Sequence, residues 1–208
     1  MKKDRNPLEA FVLAKTITTP LSQADNNLGL DDTKILACRD MRQALMIQEL
    51  QNQELFPECE LEIVEGSLEA VLAMIDEEDY AGLICGYSEL DSLGLAHRAR
   101  AIFTVEEIIP PLGQGSVTPM EGTAMQGFVY ELELGPDAIT TVFAEGDENG
   151  LELWGLYYDE ETGQWWTDWI VGDPEQPEQT GREFARQLRD AGQWMEGDLE
   201  EEEDWDEE

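Results

Sequence analysis

Hydrophobic and polar positions follow one rhythm in the first half of the chain and another in the second. From Lys34 to Phe103, short apolar runs alternate with amphipathic stretches. The run KILAC (Lys34 to Cys38) has the length and character of a buried strand. Asp40 then precedes MRQALMIQEL, with Gln43 three residues on, which resembles a capping box at a helix start. ELEIV (Glu60 to Val64) predicts a second strand, and Gly66-Ser67 opens a helix, LEAVLAMIDEE. There Leu68, Val71, Leu72 and Ile75 recur at i, i+3, i+4 and i+7, which is one helical face. AGLICG (Ala81 to Gly86) predicts a third strand, followed by a short helix that breaks at Gly94, and ARAIF (Ala99 to Phe103) a fourth. Strands alternating with helices imply an α/β fold with a mostly parallel sheet covered on both faces.

Beyond Pro110-Pro111 the texture changes. The stretch Phe128 to Leu134 predicts a strand, and LELWGLYY and QWWTDWIV, joined by DEETG, predict an antiparallel hairpin. An acidic Pro-rich loop leads to Thr180, with Glu183 three residues on as a capping box. The helix REFARQLRDAG then places Phe184, Leu188 and Ala191 on one face, with Gly192 near its end. The expected organisation is an α/β lobe over residues 1–120, a small α+β domain with antiparallel strands and a C-terminal helix over 121–195, and an acidic disordered tail over 196–208.

Composition narrows the function classes. Lys and Arg number 12 against 48 Asp and Glu, a formal charge of −36. Phosphate contacts need clustered bases, so nucleic acid is excluded as a partner. The apolar runs are too short to span a bilayer, and acid and Pro interrupt the N-terminus where a secretory segment needs an apolar stretch, so no membrane is expected. Three cysteines, Cys38, Cys59 and Cys85, lack metal-ligand spacing and read as reduced thiols of a cytoplasmic protein. No metal site is expected. His97 has no triad or metal partner and reads as a surface residue. The acid-rich end repels itself and solubilises the chain.

The segments in order resemble porphobilinogen deaminase (hydroxymethylbilane synthase). Asp79 to Ser116, DYAGLICGYSELDSLGLAHRARAIFTVEEIIPPLGQGS, is similar to that family's Y-D-A-I-(hydrophobic)-A-x-A-G-L-x-R-L-G-L segment and the P-A-V-G-Q-G-A turn after it. RNPLEAFV resembles D-P-R-D-A-F-V, where the family chain passes from its first domain to its second. ACRDMRQ falls on G-T-S-S-L-R-R-Q, and EGSLEAVL on R-G-N-x-x-T-R-L. GLELWGLYYDEETG and TGREFARQLRDAG are similar to the third domain.

The resemblance implies that the first lobe is half of a cleft like that of periplasmic binding proteins. It further implies an enzyme that joins four porphobilinogen units on a dipyrromethane cofactor held by a Cys thioether. An Asp of the first domain is its catalytic carboxylate, and arginines hold the acidic side chains of the pyrroles. Against that pattern the chain starts at the second domain, and Pro136 occupies the cofactor Cys position. The paired arginines of S-L-R-R become Arg42 and Gln43, those of R-G-N-x-x-T-R-L become Glu65 and Val71, and the Lys-Arg pair before L-G-L becomes Asp91-Ser92. Arg98 matches the Arg after L-G-L.

Arg42 and Arg98 are thus the expected remnants of an anion site, with Gly66 and Ser67 a possible anion-binding helix start or an ordinary N-cap. Two like charges about 4 Å apart repel by roughly 4 kcal/mol at an effective dielectric near 20. Glu65 in place of Arg therefore opposes binding of a carboxylate-rich ligand. The tryptophans Trp154, Trp165, Trp166 and Trp169 fit either core packing or a contact surface, and strand alternation puts Trp165 and Trp169 on one face and Trp166 on the other. The functional expectation is a deaminase-like protein without cofactor, not competent alone, acting as a binding or assembly module. Its alternatives are the C-terminal half of a split synthase working with a separate domain 1 subunit, and an acidic mimic that binds a basic protein.

Overall fold

A computed structural model describes residues 8–13, 35–114, 118–147 and 150–200, with side chains to residue 191. The chain divides into two compact units, Met1–Pro110 and Pro111–Glu208.

In the first unit a five-stranded sheet has the order β3-β2-β4-β1-β5, formed by β1 (Glu9–Leu13), β2 (Ile35–Cys38), β3 (Glu60–Ile63), β4 (Tyr80–Gly86) and β5 (Ala99–Ile102). β2 lies parallel to both β3 and β4. β1 alone runs the other way, antiparallel to β4 and β5, so the sheet is mostly parallel. Helix α1 (Met41–Asn52) connects β2 to β3, and α2 (Leu68–Glu77) connects β3 to β4. The predicted face of α2 is the one it buries, with Leu68, Val71, Leu72 and Ile75 packed on Ala10, Val12, Ala37, Leu83 and Cys85. Full burial of each such aliphatic side chain contributes about 1.5–3 kcal/mol. Phe11 packs edge-on against Phe56, just beyond α1, with ring centroids 6.2 Å apart. The short helix α3 (Tyr87–Ser92) follows β4 and ends before Gly94, as the sequence suggests.

The second unit is a three-stranded antiparallel sheet of β6 (Thr141–Asp147), β7 (Gly150–Tyr158) and β8 (Trp165–Gly172), with β7 central. Helices α4 (Pro119–Glu131) and α5 (Pro177–Glu200) cover one face. The hairpin expected from LELWGLYY and QWWTDWIV is the β7–β8 pair. The strand expected at Phe128 to Leu134 is instead the end of α4 and the turn after it. Thr118 and Glu121 form a capping box there, Pro119 occupies the first turn, and Glu121, Ala124, Met125 and Phe128 share one buried face. The terminal signals outweigh the β propensity of Phe128, Val129 and Tyr130. β6, which no hydrophobic pattern marks, completes the sheet.

Helix α5 begins at Pro177, so Thr180 lies within its first turn rather than capping it, and its Oγ1 donates to the Asp173 carbonyl. The helix continues past Gly192 to Glu200, through the position where the acidic tail was expected to begin; residues 201–208 lie outside the described residues. α4 and α5 meet through glycines: a Cβ on Gly181 would run into the Ala124 carbonyl, and one on Gly127 into that of Glu178. No helix among the described residues is long and apolar enough to cross a membrane.

Candidate functional site

In an α/β sheet the carboxyl ends of the parallel strands, where helices begin, are the usual place for a ligand. Here β2 delivers Arg39 and Asp40 to that edge, and β3 delivers Val64 to Gly66. Asp40 caps α1 by accepting from the Gln43 N–H at 2.8 Å, and Ser67 caps α2 by accepting from the Ala70 N–H at 3.3 Å. The two turns are tied together by Arg39, whose Nη2 donates to the Gly66 carbonyl at 2.7 Å. Gly66 has φ of +130°, a conformation that glycine adopts without strain. Gly66 and Ser67 are exposed, as is Glu65, while Val71 is core.

Arg42 sits in the first turn of α1 and turns inward. Its Nη2 pairs with Glu9 Oε1 at 2.7 Å and Asp40 Oδ2 at 3.1 Å, and its Nη1 donates to the Ile109 carbonyl at 2.6 Å. The Arg42 and Glu9 side chains are 5% and 4% exposed. Gln43, at the second arginine position of the resemblance, is also committed. Its Nε2 donates to Glu9 Oε2 at 3.0 Å and its Oε1 accepts from the Arg39 N–H at 2.7 Å. A buried charge needs such compensation, and this network supplies it.

Arg98 is held elsewhere. It lies in the 3-10 turn Ala96–Arg98 and grips Asp76 of α2 in two bonds, at 2.7 and 3.1 Å, with both side chains 11% exposed. The structure therefore does not bring Arg42 and Arg98 together on one ligand; each closes on its own carboxylate. His97 beside it is exposed.

Arg39 is the residue that motif reasoning passed over. Its Nη1 is buried and has no hydrogen-bond partner, beside the N-termini of α1 and α2. The sequence does carry a signal for it. A base directly after an apolar strand and before a helix cap stands at the crevice edge by topology alone.

In the second unit, Pro136 is exposed in the loop between α4 and β6. That loop borders an open cavity of about 680 Å³, which Tyr157, Tyr158 and Arg189 also line, together with Glu133, Asp137 and Asp159. Tyr157 stacks on Trp166 at 4.9 Å between centroids, and burial raises its hydroxyl above the usual tyrosine range.

The thiols offer no substitute for a cofactor cysteine. Cys38 and Cys85 are wholly buried strand residues, and burial pushes each up to about 12, with Asp40 and Glu9 adding to the effect on Cys38 and Glu9 and Glu89 to that on Cys85. Burial also pushes Cys59 up to about 11, although a hydrogen bond from Gln51 opposes it. Thiolate, not thiol, is the nucleophile. A proline where the resemblance puts the cofactor Cys, with thiols this reluctant to ionise, does not fit a thioether-held dipyrromethane. No group of three or more His, Cys, Asp or Glu able to hold a metal ion occurs among the described residues.

The family model "Porphobilinogen deaminase, dipyromethane cofactor binding domain" matches residues 3–121, which includes the crevice edge built by β2 and β3. Porphobilinogen deaminase of Alkaliphilus oremlandii is 25% identical over 209 residues, covering 91% of this chain and 65% of the relative. That of Ruminiclostridium josui is 24% identical over 163 residues, covering 68% and 56%. That of Burkholderia thailandensis is 39% identical over a shorter stretch of 62 residues, 30% of this chain and 19% of the relative. The chain thus spans less than two thirds of the length of these relatives. The order of elements, the paired helix starts at the strand ends and the match over more than half of the residues lead to one conclusion: the chain belongs to the porphobilinogen deaminase family.

Proposed function

We propose that the chain is a binding or assembly module of the porphobilinogen deaminase lineage that does not polymerise porphobilinogen by itself. One observation carries the reading. The guanidinium groups of Arg42 and Arg98, the expected anchors for pyrrole carboxylates, are spent on Glu9 and Asp76 inside the unit. A ligand bearing several carboxylates would have to displace those partners or go unpaired, and an unpaired charge in a partly buried site is costly. The net charge of −36 adds a repulsive field at long range, weakened by salt.

The test is ammonia release from porphobilinogen, together with the intact mass of the protein purified from its own host. The expected result is no turnover and no mass added by a covalent two-pyrrole group. Turnover by the chain alone overturns the reading.

A second reading has support from Arg39, whose buried Nη1 lacks an acceptor that a ligand carboxylate could supply. In it the chain is one half of a split synthase, completed by a separate subunit resembling the family's first domain. The same ammonia assay separates the two: turnover only with the added subunit favours the split synthase.

A further inference from the structure

The sheet of the second unit has two unlike faces. The face under α4 and α5 carries Leu151, Leu153, Tyr157, Trp166 and Ile170. Alternation puts the remaining side chains on the opposite face, where Thr141 and Leu156 are buried, and register lines three aromatics across the strands: Phe143 opposite Trp154, and Trp154 opposite Trp169. Phe143 and Trp154 touch, with centroids 6.1 Å apart. At the β6 side Phe143 is buried. At the β8 side the row runs out into solvent, with Trp169 57% and Val171 62% exposed, and Trp165 half-buried on the same face.

Strand β8 is a sheet edge, paired with β7 alone among the described residues. An edge this long normally carries lysine or proline to discourage partners. Here the centre is a tryptophan. Among the described residues, edge protection comes from the Asp168 carboxylate, which accepts from the Trp169 N–H at 2.8 Å and from Gln187 at 2.8 Å.

The surroundings specify the charge of an occupant. Glu152 pairs in register with Val171 and is exposed, Asp159 to Glu161 form the turn near Trp165, and Asp173 and Glu175 follow the other end of β8. There is no Lys or Arg between Arg100 and Arg182, so the whole sheet is free of positive charge. A second copy would bring the same acids against these, at a net charge of −36 on each chain. Lysine and arginine, by contrast, gain from both the carboxylates and the face of the Trp169 indole.

We propose that the exposed patch of β7 and β8 around Glu152, Trp169 and Val171 is a docking surface for a basic, extended segment of a partner protein. The apolar side chains of that segment cover Trp169 and Val171, and its Lys or Arg side chains meet Glu152 and the acids at the strand ends. This surface is distinct from the crevice of the first unit, and the proposal holds whether or not the chain has lost polymerisation.

The probe is a dye-labelled octapeptide of alternating Lys and Val, compared with alternating Lys and Ser and with alternating Glu and Val, in physiological salt. Fluorescence polarisation of the full chain is expected to show binding of the Lys/Val peptide at least tenfold tighter than of the Lys/Ser peptide, and none of the Glu/Val peptide. The exposed double substitution Trp169→Ser/Val171→Ser is expected to weaken Lys/Val binding at least tenfold with unchanged far-UV circular dichroism. Glu152→Lys weakens it while leaving the apolar surface intact. Equal binding of the Lys/Val and Lys/Ser peptides means that overall charge suffices, and overturns the proposal. So do an unaffected double variant, no binding of the Lys/Val peptide, or sedimentation as a dimer that Trp169→Ser abolishes.

Discussion

Glu9→Leu is the sharpest perturbation of the buried network at the crevice. It removes the carboxylate that receives Arg42 Nη2 at 2.7 Å and Gln43 Nε2 at 3.0 Å, in a place where both charged side chains are at most 5% exposed. Removing one partner of a buried ion pair costs about 3–5 kcal/mol, because the other charge stays buried without compensation. Asp40, 44% exposed, still accepts from Arg42 at 3.1 Å, which puts the expected loss at the lower end, about 3 kcal/mol. With a urea dependence of about 1–3 kcal/mol per molar, the midpoint falls by about 1–3 M. Pairing the substitution with Arg42→Met removes both charges and recovers most of the loss. All six tryptophans lie at or beyond Trp154, in the second unit, so far-UV circular dichroism rather than tryptophan emission must follow this transition. If Glu9→Leu costs less than about 1 kcal/mol, Arg42 is not committed to Glu9 and stays available to a ligand.

Asp76→Ala removes the carboxylate that Arg98 grips in two bonds, and thermal melting followed by circular dichroism should show a loss of about 3 kcal/mol that Asp76→Ala/Arg98→Ala largely restores. An unchanged melt would show that the bidentate pair contributes nothing. Gly181→Ala forces a Cβ into the Ala124 carbonyl at the α4–α5 contact, and tryptophan-monitored unfolding should register about 1–3 kcal/mol of destabilisation or more. The thiols set a pH dependence. Each has its folded value raised from 9.0, to about 12 for Cys38 and Cys85 and about 11 for Cys59. The unfolded chain therefore ionises first as pH rises, and the stability these groups contribute is complete below pH 9 and falls away between about 9 and 12. Urea titrations at stepped pH should show that decline, shallower in Cys38→Ala; a stability that rises over this range contradicts the burial argument.

Much of the fold is legible in the sequence because burial writes itself as pattern. ILAC and YAGLICG are continuous apolar runs because β2 and β4 lie inside the sheet, and the face of α2 repeats with the helical period because only that face meets the core. Phe128 to Leu134 misleads because aromatic and β-branched residues crowd together there, although the Thr118, Pro119 and Glu121 signals upstream already mark a helix. The site is less legible than the fold. Arg42 pairs with a glutamate 33 positions away and with the carbonyl of Ile109, 67 positions on, and nothing local announces either. Spacing identifies which arginines persist, but only the packed structure shows where each one spends its charge.

If Arg42 and Arg98 are committed to Glu9 and Asp76, neither is free to anchor a carboxylate-rich pyrrole chain. Isothermal titration of the isolated chain with a linear oligopyrrole bearing acetate and propionate side chains tests it most directly. No saturable heat is expected at micromolar protein; stoichiometric, saturable binding that Arg42→Met or Arg98→Met abolishes would show instead that these arginines hold the ligand.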